Sequence, residues 1–377
     1  TIESLSDLNL ITHCSVTSFG EVDGTTALSS LTQTGGRTFV DGGLVQTLGA
    51  QQYAVAGGVI LRADAIFTSL SDDLIRFNKA IHTDNSGNFN LTVNGEAFFN
   101  FNVGQTQGGI NRALGSVTVY RDTTRSVNNM TDLTAGAQTY NGAFNLGLNR
   151  TFISQNGGDI TFNSTVDRSA VNAVMTVNTT GRTVFNGAVG DTTSLRTITT
   201  DAGGTTEING GRIITINDQT FNDAVSLGEN ATLNGDNVIF ERTVDLSTFT
   251  LTVDVSELDS EAKVVISGTG NLVKQGIGTL SLNVDNTYTG TTTVEEGLLT
   301  TKSLDSSAVF VNDEGTLETR GNLVGSLTVQ DGGTFIPGPG RAIVATGDLT
   351  FESGATLDFS LEGNNVQNEH DPLQVAG

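Results

Sequence analysis

Two groups of acidic residues are the densest places where this sequence could perform chemistry. Asp72 and Asp73 are adjacent. Glu257, Asp259 and Glu261 alternate along a second segment. Carboxylates roughly 5 to 10 Å apart can supply the acid and the base for glycoside hydrolysis. Such a pair also needs a cleft, and neither group lies beside a long inserted loop, so we interpret both as solvated corners and assign no catalytic residue.

The histidines and the single cysteine form no recognisable metal or nucleophile motif. His13, His82 and His370 are far apart, and none belongs to a spacing such as H-E-x-x-H. Cys14 has no second cysteine to pair with and is interpreted as a small buried side chain. We expect each histidine to lie at the surface or in packing contacts, and we assign no cofactor-binding or metal-ligating residue.

Two glycine-rich segments contain the oxygen ligands that calcium prefers. They are residues 201–204 (DAGG) and 331–333 (DGG). The tandem nonapeptide G-G-x-G-x-D-x-U-x of calcium-binding β-helices does not occur. The expectation is therefore no cofactor, with calcium at isolated acidic corners as the open alternative.

The charge of the chain is strongly acidic. Forty-one Asp and Glu residues against 18 Lys and Arg give a net charge of -23. Such a charge repels nucleic acid and anionic lipid, so we expect no nucleic-acid partner. No apolar run approaches the length of a membrane span, and no signal-peptide pattern follows Thr1. We expect no direct membrane insertion and a mature or internal piece of a longer protein.

The elements that must position these groups are short strands. The 377 residues include 46 Gly and only 3 Pro, with 16% charged residues. Short alternations of apolar and polar residues separated by Gly and Asn are typical of strands with tight corners, which predicts an all-β chain. Asn-Gly pairs suit positive-φ corners, and asparagines can also stack as ladders inside turns. These pairs begin at Asn94, Asn141, Asn156, Asn186, Asn209 and Asn234.

The sequence also aligns with itself. GAQQYAVAGGVIL from Gly49, GAQTYNGAFNLGL from Gly136 and NDQTFNDAVSLGE from Asn217 match, and other segments keep the same order and spacing. The repeated unit is about 80 to 87 residues long, or about four coils of roughly 20 residues. This predicts a right-handed parallel β-helix (β-solenoid) of roughly 16–19 coils. Strands stacked ~4.8 Å apart would make a rod about 80 to 90 Å long.

Aromatic residues recur at matching positions of the repeated unit. We predict that they fill the solenoid interior rather than form a ligand platform. They are Phe77, Phe162 and Phe240; Phe19, Phe101 and Phe185; and Tyr53, Tyr140 and Phe221.

The segment from Gly268 to Leu298 reads GTGNLVKQGIGTLSLNVDNTYTGTTTVEEGL. It resembles the passenger-associated repeat of autotransporter proteins and giant bacterial adhesins, with the pattern G-x-G-x-L-x-K-x-G-x-G-x-L-x-L, then N-T-Y-T-G-x-T-x-V and G-x-L. The tail resembles the same passengers through a Pro-Gly corner at 335–340 and a coil at 347–357. There, Phe335 replaces the usual leucine. In that family the repeat marks a structural coil, so the resemblance implies a secreted β-solenoid and no particular site.

We therefore divide the chain into residues 1–250, a β-solenoid with about three degenerate 80–87-residue repeats, and 251–377, a continuing solenoid with passenger-type coils. The predicted function is a non-enzymatic extracellular structural protein, either a surface adhesin or the subunit of a head-to-tail filament. It would be secreted, extracellular or on the bacterial cell surface.

Open solenoid edges predict end-to-end self-association, with contacts expected in residues 1–14 and 363–377. Host or biofilm surface glycans are the other candidate partners. The alternative function is a polysaccharide-binding or polysaccharide-degrading β-helix protein. A groove with convergent Asp, Arg and aromatic side chains on one lateral face would distinguish it.

Overall fold

The computed structural model describes residues 8–19, 28–84, 86–107, 110–125, 129–257, 260–337, 344–345, 347–358 and 374–375. All regular elements in these ranges are strands, and no helix occurs in them. The chain forms two compact units. Unit 1 comprises Thr1–Arg196 and Thr200–Gly204, and unit 2 comprises Thr197–Thr199 and Thr205–Gly377. The all-β prediction is confirmed.

The strands up to Phe185 belong to unit 1. They are β1 (Leu8–Phe19), β2 (Leu31–Val40), β3 (Gly43–Thr47), β4 (Gln51–Ala54), β5 (Val59–Leu61), β6 (Ala65–Ser69), β7 (Ile75–Phe77), β8 (Ile81–Thr83), β9 (Leu91–Asn94), β10 (Ala97–Phe99), β11 (Thr106–Gln107), β12 (Ile110–Asn111), β13 (Val117–Val119), β14 (Thr123–Arg125), β15 (Met130–Thr134), β16 (Gln138–Tyr140), β17 (Phe144–Leu146), β18 (Arg150–Ser154), β19 (Ile160–Phe162), β20 (Val166–Arg168), β21 (Val174–Thr179) and β22 (Arg182–Phe185).

The remaining strands follow in chain order. They are β23 (Thr197–Thr200), β24 (Thr205–Ile208), β25 (Arg212–Ile214), β26 (Gln219–Phe221), β27 (Ala224–Leu227), β28 (Ala231–Gly235), β29 (Val238–Phe240), β30 (Val244–Asp245), β31 (Leu251–Val255), β32 (Ser260–Ala262), β33 (Ile266–Ser267), β34 (Leu272–Gln275), β35 (Thr279–Asn286), β36 (Thr292–Val294), β37 (Gly297–Leu304), β38 (Ala308–Val311), β39 (Gly315–Thr319), β40 (Ser326–Val329), β41 (Thr334–Pro337), β42 (Val344–Ala345), β43 (Leu349–Phe351), β44 (Thr356–Leu357) and β45 (Gln374–Val375).

Unit 1 is built from parallel sheets whose neighbouring strands come from successive turns. One sheet runs β4-β7-β10-β14-β17-β20 and a second runs β3-β6-β9-β13-β16-β19-β22. On a third side β5 pairs with β8 and β15-β18-β21 form a ladder, with Val103 bridging Ile81 and Asp132. β11 and β12 form an antiparallel hairpin, which interrupts this regularity.

Unit 2 follows the same plan. Its parallel sheets run β24-β27-β30-β33, β26-β29-β32-β35-β37-β39-β41-β44 and β25-β28-β31-β34-β36-β38-β40-β43. The fold is the predicted β-solenoid, with about 15 turns. The count falls just below 16–19 because several turns exceed the roughly 20 residues that the estimate assumed. Asn90 bonds Asp64 one turn away at a separation of 26 residues.

Aromatic rings stack from turn to turn in the interior. Tyr53 lies on Phe77 with ring centroids 5.3 Å apart, and Tyr140 lies on Phe162 at the same distance. The predicted interior role is confirmed for a buried set: Tyr53, Phe77, Tyr140, Phe162, Phe185, Phe221 and Phe240. It is wrong for Phe101, which is half-buried against a surface lysine. The side chain of Phe19 lies outside the described residues.

Asparagines at one corner form the predicted ladder. Asn163 donates to Asn141 Oδ1 and Asn186 donates to Asn163 Oδ1, both at 2.7 Å. The expectation that the Asn-Gly pairs form positive-φ corners is confirmed at Asn156-Gly157, where Gly157 has φ +72, and is wrong at the other five pairs, in which neither residue has positive φ. Glycine is needed after Asn141 because the preceding turn is close: a Cβ on Gly142 would lie 2.3 Å from the Arg121 carbonyl carbon.

The three repeated segments build the same buried corner. Gln51, Gln138 and Gln219 are each buried and donate their side-chain amide to backbone carbonyls of two neighbouring segments. In each copy a threonine lies four positions before the glutamine. Its hydroxyl donates to the backbone carbonyl of the residue two positions after the threonine. The amide thus satisfies carbonyls that the corner would otherwise bury without partners.

Candidate functional site

A groove in unit 1 collects basic side chains on this acidic chain. Its floor is formed by Ile60 on β5 and His82 on β8, which are register partners in adjacent turns and are both buried. Alternation along a strand points every second side chain to one face, so parallel pairing in register brings these two onto the same side. The groove has a volume of about 260 Å³.

One wall combines Arg37, near the end of β2, with the Gly57-Gly58 turn. A Cβ on Gly57 would lie 3.0 Å from Arg37 Cβ and Nε, so the absence of a side chain leaves room for the arginine stem. Gly58 has φ +79, and a Cβ there would lie 2.5 Å from the Ala80 carbonyl oxygen. The glycines therefore let the guanidinium lie along the groove.

The opposite wall is formed by Lys79 and Phe101. The Lys79 ammonium lies 4.6 Å from the centroid of the Phe101 ring, a cation–π arrangement that holds the lysine at the groove edge. Phe101 is half-buried, so part of its ring faces solvent. This placement explains why Phe101 departs from the interior stack.

Arg112 closes the groove beside the β11–β12 hairpin. Its backbone N–H donates to the Gln105 carbonyl at 2.8 Å, and its own carbonyl accepts from Thr83 at 3.4 Å. Nε of Arg112 is buried and has no hydrogen-bond partner among the described residues. Arg112 is therefore held in place by its backbone while its guanidinium keeps an unused donor.

Electrostatics in the groove favour an anion. Burial lowers the pKa of His82, and the positive charges of Arg112 and Arg37 lower it further, against the Thr83 carbonyl and the Asp84 charge. His82 is thus neutral at pH 7, and its Nδ1–H donates to the Thr83 carbonyl at 2.7 Å. Arg37, Lys79 and Arg112 form no ion pair with a carboxylate in the part of the chain that the structure describes.

The acidic groups singled out in the sequence lie on the surface. Asp72 forms a bidentate pair with Arg121 at 2.8 and 2.9 Å. Asp73 and Glu257 are exposed, and Glu261 pairs with Lys263 at 2.9 Å. Asp259 lies outside the described residues. Among the described residues, Asp72 and Glu261 are therefore held in surface ion pairs, and Asp73 and Glu257 are solvated carboxylates.

The histidines, the cysteine and the glycine-rich segments considered in the sequence are described only in part. The side chains of His13 and Cys14, and all of His370, lie outside the described residues. In the DAGG segment, Asp201 accepts the Thr179 backbone N–H at 2.8 Å. Over the described residues, no group of three or more His, Cys, Asp or Glu side chains is close enough to hold a metal ion.

Sequence reasoning missed a charged cluster inside unit 1. Asp132 pairs with Arg125 at 2.6 Å and with Arg150 at 3.3 Å, and all three side chains are at least 98% buried. Arg125 also lies 4.1 Å above the Phe99 ring. Burial lowers the pKa of Arg150 to about 10. The alternation along β14 could have indicated this cluster. Arg125 lies two residues after buried Thr123, on the same face of the strand, and must therefore face inward.

The passenger-type segment contains a buried lysine. The Lys274 side chain is fully enclosed, and its Nζ donates to the carbonyls of Gln275, Gly276 and Glu296 at 2.7, 2.6 and 3.1 Å. Burial lowers its pKa to about 8. The lysine of the repeat pattern is therefore a structural clamp that joins one strand end to the next turn.

Comparison with known proteins agrees with this architecture. Residues 272–300 match the passenger-associated-transport-repeat. The chain is 35% identical over 100 residues to an extracellular serine protease of Serratia marcescens, covering 26% of this chain and 10% of that protein. It is 32% identical over 106 residues to the adhesin BmaC autotransporter of Brucella suis biovar 1 (strain 1330), covering 26% of this chain and 3% of that protein.

No solved structure matches the chain. No helix long and apolar enough to cross a membrane occurs among the described residues. The matched part amounts to a tenth or less of the curated relatives. The chain carries the passenger repeat within a parallel β-solenoid and, as its sequence predicts, resembles autotransporter passengers.

Proposed function

We propose that this chain is a non-enzymatic segment of a secreted or cell-surface passenger and that it contributes to adhesion. The passenger repeat and the relative named as an adhesin support this function. The observation that carries it is the groove of Arg37, Lys79 and Arg112, a local basic surface on a chain with a net charge of -23. Unpaired cations beside an aromatic ring suit recognition of a ligand outside the protein.

The geometry also favours binding over catalysis. One relative is named a serine protease, and a serine nucleophile needs a histidine base within hydrogen-bond reach. The His82 ring donates a hydrogen bond to the Thr83 carbonyl, and no serine in the described ranges hydrogen-bonds to the ring. The groove holds cations and an aromatic ring without the acidic residues that glycan cleavage requires.

Bead adhesion tests this function. Beads coated with the intact chain should adhere to surfaces coated with host or biofilm glycans. The double variant Arg37→Gln/Arg112→Gln should lose adhesion. The control Arg121→Gln/Arg182→Gln removes the same charge from exposed ion pairs and should retain it. Wild-type beads that adhere to none of these surfaces would overturn the function, and release of sugars or peptides by the chain would show an enzyme instead.

A second function, end-to-end association into filaments, is favoured by β1. This 12-residue strand pairs with β2, and its other edge has no partner among the described strands. Unpaired strand edges recruit further strands. Electron microscopy of the intact chain at rising concentration should show filaments. Monomers that persist at the highest concentration would contradict this second function.

A further inference from the structure

The groove is small and partly apolar. Its volume of about 260 Å³ falls below the roughly 300–1,000 Å³ of sites for drug-sized ligands. Its lining combines the apolar Ile60 and Phe101 with the amide of Gln105 and the cations Arg37 and Arg112. A ligand of this size would present an apolar face, hydroxyl groups and a negative charge, which together describe one sugar residue bearing an acidic group.

The surroundings favour a short anion over a long one. Arg62 beside the groove is already paired with Asp41 and Asp84, so it adds no free positive charge. Outside the groove the acidic chain repels a polyanion, because each further phosphate or sulfate would meet a surface of its own sign. A nucleic acid or a long sulfated chain therefore fits the charge distribution poorly, whereas the end of a glycan fits it well.

We propose that the groove binds a terminal acidic sugar, a pyranose with a carboxylate or a sulfate, at the end of a surface glycan. Arg112 and Arg37 bind the acidic group, and the buried Nε of Arg112 supplies a donor that the described protein groups leave unused. The exposed part of the Phe101 ring packs against the C–H face of the sugar, and Gln105 bonds its hydroxyls. This proposal rests on the adhesive function and names its ligand class.

Titration of the intact chain with single sugars tests the proposal. Glucuronic acid and glucose 6-sulfate should bind in calorimetry or ligand-observed NMR, and glucose should not. Arg112→Gln should weaken acid-sugar binding on the order of tenfold or more, as loss of a hydrogen bond to a charged group implies. Arg121→Gln, which alters an exposed pair with Asp72, should leave the affinity unchanged.

Four outcomes would overturn the ligand assignment. Equal binding of glucose would remove the role of the acidic group. Equal binding of inorganic sulfate would identify a site for a free anion. Tighter binding of a DNA oligonucleotide would identify a polyanion surface. Adhesion of wild-type beads to glycans without binding of any acidic sugar would refute this ligand and leave the adhesive function intact, so the two proposals fail separately.

Discussion

Tyr140 donates its hydroxyl hydrogen to Oε1 of Gln138 at 3.1 Å inside the solenoid. Tyr53 makes the same bond to Gln51 at 2.8 Å. The third copy of the repeat has Phe221 in place of tyrosine, and there Oε1 of Gln219 is buried without a partner among the described residues. The corner glutamine thus both clamps two turns and orients a ring, and the third copy keeps only the first role.

Phe221→Tyr should therefore stabilise unit 2. The new hydroxyl would donate to Gln219 Oε1, and a buried hydrogen bond of this kind contributes about 0.5–1.5 kcal/mol. The midpoint of urea unfolding should rise. Phe240→Tyr, one turn away in the same ring stack, is the control and should lower the midpoint, because its hydroxyl would be buried without that acceptor. Equal effects of both substitutions would contradict the argument.

Asp132→Asn should strongly destabilise unit 1. The substitution keeps the shape of the side chain but leaves Arg125 and Arg150 buried without a countercharge. Removing one partner of a buried pair costs about 3–5 kcal/mol. Urea unfolding of the intact chain measures the loss.

The matched control is Asp159→Asn, which weakens a partly exposed pair with Arg182. Exposed pairs contribute about 0–1 kcal/mol, so its effect on unfolding should be small. A loss for Asp132→Asn no larger than for Asp159→Asn would show that the buried cluster tolerates an unbalanced charge.

Lys274 should make unit 2 more stable as the solution becomes alkaline. Its pKa is about 8 when folded, against an ordinary value of 10.5. Between these values the unfolded chain binds the proton more tightly, so the free energy of unfolding rises with pH. The penalty for burying the charge is fully present below pH 8 and is lost as the pH rises toward 10.5.

Urea midpoints at pH 7 and pH 9.5 measure this dependence. The difference between the two midpoints should shrink in Lys274→Met, which has no proton to lose. Lys263→Met is the control, since Lys263 is exposed beside Glu241 and Glu261. Parallel pH profiles for wild type and Lys274→Met would refute the assignment.

His82 should make acidic-sugar binding tighter at lower pH. Its pKa is lowered by burial and by Arg112 and Arg37, against the Thr83 carbonyl and Asp84. An anion held between the two arginines would offset their charges, raise the pKa of His82 and so favour proton uptake on binding. Affinity for glucuronic acid should increase from pH 7.5 to pH 5.5. His82→Gln should abolish that change, and a pH-independent wild-type affinity would contradict the linkage.

The sequence predicted the fold through local patterns that act within one turn. Alternation, corner residues and the passenger repeat each determine where a strand begins and which side chains face inward, so the ring stack from Tyr53 to Phe77 followed from repetition alone. The groove could not be predicted in this way. Arg37, Lys79 and Arg112 are distant in sequence and meet only because successive turns stack in register, with a hairpin inserted beside them.

Charge in the interior escaped prediction for another reason. A charged residue in an alternating strand is ordinarily assigned to solvent, because burying an unpaired charge is costly. Arg125 and Lys274 violate that rule. Arg125 pairs with Asp132 on the next strand of the same turn, and Asp132 also pairs with Arg150 one turn later. Lys274 donates to the Glu296 carbonyl of the next turn. Only the register between turns brings Arg150 to Asp132 and the Glu296 carbonyl to Lys274.

The asparagine ladder has a consequence for how such chains change length. Asn141, Asn163 and Asn186 follow one another at 22 and 23 residues, and Asn163 and Asn186 each donate to the asparagine one turn earlier. Deleting or duplicating one complete turn would bring equivalent residues together again, whereas a shift of one residue would turn every interior side chain outward. Adding or removing whole turns should therefore cost the solenoid little stability. Duplication of whole turns would produce related segments such as the three found in this sequence.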